Sequence, residues 1–121
     1  MSTPQSSSIS PRPLSSFRAH ENTVYVSGQV GVIDGKILEG FEAQMKQTLG
    51  NLQTVLTAAG TSKERVLKCT CFVRNEADTT AFNRMYAEFF APGPFPARST
   101  LLGGPTTLEI LVEIEAIAAR A

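Results

Sequence analysis

The chain has 121 residues, 42% of them apolar and 18% charged, with eleven basic side chains balanced by eleven acidic ones. That length holds one hydrophobic core, and that composition belongs to a globular domain rather than a disordered chain. Zero net charge without a basic run gives no electrostatic footprint for nucleic acid, and no apolar stretch is long enough to span a bilayer.

Residues 1–16 are rich in Ser, Thr and Pro, carry Arg12, and have no acid before Glu21. An acid-poor leader of this kind can be a targeting segment, but Pro4, Pro11 and Pro13 interrupt any helix, so a flexible leader is expected, followed by a single domain over 17–121. Phe17 to Ala19 and Val24 to Ser27 read as the two strands of a hairpin turning at Asn22. Gly28, in Ser27-Gly28-Gln29, marks a bulge or a close backbone approach. Val30 to Ile33 continues extended, Asp34-Gly35 turns the chain, and Lys36 to Leu38 returns.

The first helix is expected from Gly40 to Ala59. Phe41, Met45, Leu49, Leu52 and Leu56 form its buried face, and Glu42, Gln47, Asn51 and Thr54 lie opposite. Gly60 follows as a stop. Thr61 to Glu64 resembles a capping box that opens a short helical turn. Val66 to Val73 is a strand with Leu67, Cys69, Cys71 and Val73 on one wholly apolar face. Cys69 and Cys71 read as two reduced, packed thiols, and one histidine, His20 at the surface, leaves few partners for a metal. The second helix runs from about Thr79 to Phe90 with Asp78 as N-cap and Phe82, Met85, Tyr86 and Phe89 as its stripe. Pro92, Pro94 and Pro96 end it and lead stiffly into a strand from Arg98 to Leu102. The last strand is expected from Leu108 to Ala118. Leu108, Ile110, Val112, Ile114 and Ala116 face the helices, while Glu109, Leu111, Glu113, Glu115 and Ile117 face away.

The order describes an α+β domain with two helices on one face of a mixed sheet. The other face carries Phe72, Leu111 and Ile117 among charges, which favours self-association with cyclic symmetry. Arg98 and Glu113 stand out as charges at the mouth of an apolar run and inside an alternating strand, where a charge is costly unless paired. A guanidinium matches a carboxylate bidentately, so Arg98 fits either a ligand's acid group or an internal pair with Glu113 or Glu115. Glu113 fits either a water-orienting base or a solvated strand face. Ser27 and Gly28 offer a hydroxyl and bare backbone at a strand end, and Asn83 sits beside the buried stripe of the second helix.

These residues resemble the Rid, or YjgF, family of reactive-intermediate deaminases over roughly residues 17–119. The resemblance is carried by Val26-Ser27-Gly28-Gln29; by Gln47-Thr48-Leu49-Gly50-Asn51-Leu52 with Val55-Leu56 and Ala58-Ala59-Gly60; and by Phe82-Asn83-Arg84-Met85-Tyr86 with Phe89-Phe90. Pro96-Ala97-Arg98-Ser99-Thr100 and Val112 to Ala118 complete it. It implies a chorismate-mutase-like fold and a homotrimer with three intersubunit clefts. It also implies hydrolysis of reactive 2-imino acids, such as 2-iminopropanoate or 2-iminobutanoate, to 2-keto acids and ammonia without metal or cofactor. By resemblance Arg98 holds the substrate carboxylate, Glu113 positions water, and Ser27, Gly28, Asn83 and Thr100 line the cleft. A cytoplasmic role in metabolite damage control follows, with the mitochondrion as the alternative location. The sequence departs from the family's pattern in three places. No tyrosine occurs in Pro11 to Phe17, where members usually carry Gly-Pro-Tyr; the Val30 to Leu38 loop is shorter; and Thr106-Thr107 replace a common Leu-Pro pair. A specialised member acting on another imine or enamine, a non-catalytic keto-acid-binding or chaperone-like trimer, and a ribonuclease are the alternatives.

Overall fold

Alternating β-branched and aromatic residues build a five-stranded sheet, and two amphipathic helices cover one of its faces. The computed structural model describes residues 12–120. The part of the expected leader before residue 12 lies outside them. In chain order the elements are β1 (Phe17–His20), β2 (Thr23–Val30), β3 (Val32–Ile33), β4 (Lys36–Ile37), α1 (Phe41–Ala58), β5 (Val66–Val73), α2 (Thr79–Phe90), β6 (Ala97–Leu102) and β7 (Val112–Ala119). One 3-10 turn precedes β5, at Lys63–Arg65, and another precedes α2, at Glu76–Asp78. The large sheet has the order β1-β2-β7-β5-β6, and β3 and β4 form a separate hairpin. Only β5 and β6 run parallel, because the α2 crossover joins them; the other pairs are antiparallel. This is the mixed α+β architecture expected.

The core lies between the sheet and the helices. Met45, Leu52 and Leu56 of α1, Phe82 of α2, Cys69 of β5, and Val112 and Ile114 of β7 have essentially no exposure. Periodicity explains it: α1 repeats apolar groups every three or four residues, and β7 alternates buried and open positions over its whole length. Truncating Phe82 to Ala would cost about 3–5 kcal/mol, the usual loss for a buried aromatic. The Asp34-Gly35 turn adopts positive φ at both residues (53° and 77°), as a two-residue hairpin turn requires. Gly31 is needed for a different reason: a methyl there would meet the α1 backbone at Gln44, 2.5 Å away.

Four expectations are corrected. Residues 108–111 do not join the last strand, and Leu108 is 72% exposed instead of facing the helices. Side chains claim their backbone groups: Gln44 binds the Glu109 carbonyl and the Leu111 amide, and Arg74 binds the Ile110 carbonyl. Leu111 consequently packs against the core and not on the far face. Leu67 is exposed and Val66 buried, because an irregularity in the β5–β7 register between Val66 and Lys68 reverses the alternation there. On α1, Gln47 and Asn51 are half-buried, not solvent-facing. The Asn51 amide donates to the carbonyls of Val30 and Val32, and Gln47 donates to the Asn51 side-chain oxygen. Neither Ser62 before the 3-10 turn nor Asp78 before α2 makes a side-chain cap, although both short elements form where expected.

Candidate active site

A break in the β2–β7 ladder creates the first half of the site. Pairing is regular from Thr23 to Val26, shifts, and resumes at Gln29, so Ser27 and Gly28 bulge out of the sheet. The bulge faces Glu113, which β7 directs to the open face of the sheet, away from the helices. Gly28 leaves the room this takes: a Cβ there would collide with the Glu113 carboxylate and make it swing aside. The Ser27 amide donates to the Ser16 carbonyl, and its hydroxyl donates to the Ser15 carbonyl. These bonds lay the segment before β1 along the cavity. The cavity has a volume of about 300 Å³, and Arg12, Leu14, Ser27, Gly28, Glu113 and Glu115 are among its walls. Burial raises the Glu113 carboxyl above the ordinary range, Glu115 two residues on adds to the rise, and Arg12 opposes it. A half-buried carboxyl of raised affinity for protons is a stronger proton acceptor than an ordinary glutamate.

The second half lies elsewhere on the chain. Arg98 sits on β6, the edge strand, opposite Cys69 of β5, and points to the helix side. Its guanidinium carbon stands 4.8 Å from the Tyr86 ring centre and 5.4 Å from that of Phe82. Aromatic faces of α2 thus hold the charge by cation–π attraction. No described carboxylate lies within salt-bridge distance of Arg98, so the internal pair with Glu113 or Glu115 does not form among the described residues. Thr100 follows on the same side of β6, and Asn83 is exposed on α2 next to Phe82. The Tyr86 hydroxyl is buried, and that burial pushes its acidity down, its pKa up. Cys69 and Cys71 beneath are free and buried.

The residues singled out from sequence therefore fall into two groups. Ser27, Gly28 and Glu113 share one cavity. Arg98, Thr100 and Asn83 belong to the β6–α2 edge. Within a single chain β5 separates β6 from β7, and the two charges point to opposite faces of the sheet. Three contributors were missed. Gln44 is buried and ties α1 to Leu38, Glu109 and Leu111. Its spacing, three after Phe41 and four before Thr48, was the available signal. Arg74 donates to the carbonyls of Pro105, Thr107 and Ile110 and so shapes the loop that walls the cavity. No pattern in the sequence distinguishes it from other surface arginines. Arg12 is the one Lys or Arg of residues 1–16, and its neighbours along the chain offer it no carboxylate partner. Among the described residues no cluster of three His, Cys, Asp or Glu could hold a metal, and no helix is long and apolar enough to cross a membrane.

Comparison with known proteins gives the chain its family. The family model described as Endoribonuclease L-PSP matches residues 7–120. A 2-iminobutanoate/2-iminopropanoate deaminase of Dermatophagoides farinae is 35% identical over 118 residues, covering 93% of this chain and 91% of the relative. The mitochondrial protein mmf1 of Schizosaccharomyces pombe is 40% identical over 99 residues, 78% of this chain, and the match spans only 60% of that protein's length. A crystal structure from Yersinia pestis, described as a protein of unknown function of the conserved Rid family, superposes with a TM-score of 0.85 at 35% identity, covering 91% of this chain and 90% of that one. The chain belongs to the Rid family, whose members that same model describes.

Proposed function

We propose that the chain is a deaminase that hydrolyses 2-imino acids, among them 2-iminopropanoate and 2-iminobutanoate, to 2-keto acids and ammonia. It works as a homotrimer whose clefts join Arg98, Thr100 and Asn83 of one copy to Ser27, Gly28 and Glu113 of the next. The observation that carries the reading is the pair of complementary charges held open on opposite faces. Arg98 stacks on α2 without a described carboxylate partner, and Glu113 fronts a cavity with Gly28 leaving room for its carboxylate. Two copies of the chain can bring them face to face; one cannot. Exposed Tyr25 and Leu101 on the open face of the sheet give that association apolar area to bury.

The chemistry asks little of the protein. Arg98 anchors the substrate carboxylate through two parallel N–H donors. Glu113 accepts a proton from water as its oxygen bonds to the imine carbon. The resulting tetrahedral carbinolamine takes that proton from Glu113 on its nitrogen, the C–N bond breaks with its electron pair leaving on ammonia, and the oxygen closes to the keto group as its hydroxyl proton passes to the Glu113 carboxylate and on to solvent. Placement of the two reactants supplies most of the acceleration, since the imine carbon is already electrophilic. The test generates 2-iminobutanoate in place with a PLP-dependent dehydratase and follows the keto acid. Faster release with this protein, lost in Arg98→Ala and in Glu113→Gln, is the expected result. The same rate with and without protein overturns the reading. The family description also names an endoribonuclease; the balanced charge of eleven against eleven lacks the basic surplus that favours nucleic-acid binding.

A further inference from the structure

Arg12 is the described cation that shares a cavity with Glu113. It lines the 300 Å³ space together with Ser27, Gly28, Glu113 and Glu115, and it also lines the adjoining 390 Å³ space with Leu14, Ser27 and Gly28. The segment that carries it is fastened: Leu14 donates to the Arg12 carbonyl in a tight turn, and Ser15 and Ser16 accept from Ser27. We propose that Arg12 is a positioning residue of the site, closing one wall of the cavity over Glu113 and serving as that carboxylate's counter-charge. The inference rests on the reading of Glu113 as the water-activating group.

The surroundings of Glu113 leave this role to few groups. On its own strand Glu115 repels it. On β2 it meets Ser27, Gly28 and Val30, none of them charged, and on β5 it pairs with Phe72. Lys68 of β5 lies opposite Ile117, two rows along the sheet. Arg18 of β1 lines the neighbouring cavity with Glu115 and not the cavity of Glu113. Arg74 is occupied by the carbonyls of Pro105, Thr107 and Ile110. Burial and Glu115 both favour the protonated acid, which cannot take a proton from water; Arg12 acts in the opposite sense. A guanidinium stays charged at every pH of interest, so it holds the carboxylate ready without titrating itself. A leader that carries an arginine here, instead of an apolar or aromatic group, thereby sets how far into acid the site remains usable.

Two readouts on the full-length protein test this. A carboxyl ¹³C titration follows Glu113 directly, and the acid limb of kcat/KM on 2-iminobutanoate follows its use. Arg12→Leu is expected to move both to higher pH, and Arg12→Lys to restore them. Arg18→Leu, which removes the same charge one cavity away, is expected to leave both in place. Unmoved values in Arg12→Leu, or an equal movement in Arg18→Leu, overturn the inference. Failure of the functional reading looks different: Glu113→Gln then hydrolyses the imine at the wild-type rate, while the ¹³C titration still decides whether Arg12 faces Glu113.

Discussion

Gly28 illustrates how much a missing side chain can decide. Its backbone is not in the left-handed region; what it supplies is room for the carboxylate of Glu113. In Gly28→Ala the flexible carboxylate must swing aside, at little cost to folding. A displacement on the order of an ångström at a reacting group is worth roughly 10²-fold in rate. Gly28→Ala is therefore expected to lose most of its kcat/KM on 2-iminobutanoate with a melting curve close to wild type. Glu113 makes a complementary case. Its native affinity for protons is raised, chiefly by burial, so the folded state binds more protons than the unfolded chain above the ordinary glutamate range. Stability contributed by this group accordingly falls as pH rises through that interval. Glu113→Gln, which mimics the protonated acid, is expected to raise Tm at neutral pH, with the gain shrinking as the pH falls through that same interval toward the ordinary glutamate value. A melting series over pH checks it, and an advantage that grows toward acid contradicts it.

At the scale of elements, α2 and α1 each set one half of the site. The α2 stripe Phe82, Tyr86 and Phe90 fills the core, and the Phe82 and Tyr86 rings also hold Arg98. Cation–π contacts contribute about 0.5–2 kcal/mol, so Tyr86→Leu is expected to raise KM severalfold, with Tyr86→Phe near wild type because the ring and not the hydroxyl carries the contact. Comparable KM values in Tyr86→Leu and wild type would contradict a part for this ring in holding Arg98. On α1, Gln44 makes three hydrogen bonds from a buried position, of 2.9, 2.9 and 2.8 Å. Gln44→Leu strands buried backbone groups and should cost about 3 kcal/mol in urea unfolding, given 1–3 kcal/mol for each unsatisfied group. The helices themselves were legible from spacing, and the observed α1 and α2 fall within a residue or so of expectation. Residues 108–111 were not, because alternation of apolar and polar residues continues through them while Gln44 of α1 and Arg74, just after β5, take their hydrogen bonds.

For the whole molecule, the separation of Arg98 from Glu113 makes a sharp prediction. Arg98→Ala and Glu113→Gln chains are each expected to be inactive alone. Co-assembled in equal amounts, they form clefts of which about one quarter combine an intact arginine with an intact glutamate, if a cyclic assembly mixes at random. Recovery of about a quarter of wild-type activity on 2-iminobutanoate, together with a trimer by sedimentation, is the expected outcome. Mixtures that stay inactive contradict a shared cleft.

The sequence by itself determined the class of fold, the two helices, the Ser27-Gly28 bulge and the hairpin turn at Asp34-Gly35, because periodicity and backbone preference are local properties. Only the tertiary structure decided that Arg98 and Glu113 sit on opposite faces, that Arg98 rests on Tyr86 and Phe82, and that Gln44, Arg74 and Arg12 shape the cavity. Those contacts join residues as far as 67 positions apart, and nothing in the neighbourhood of either partner along the chain records them.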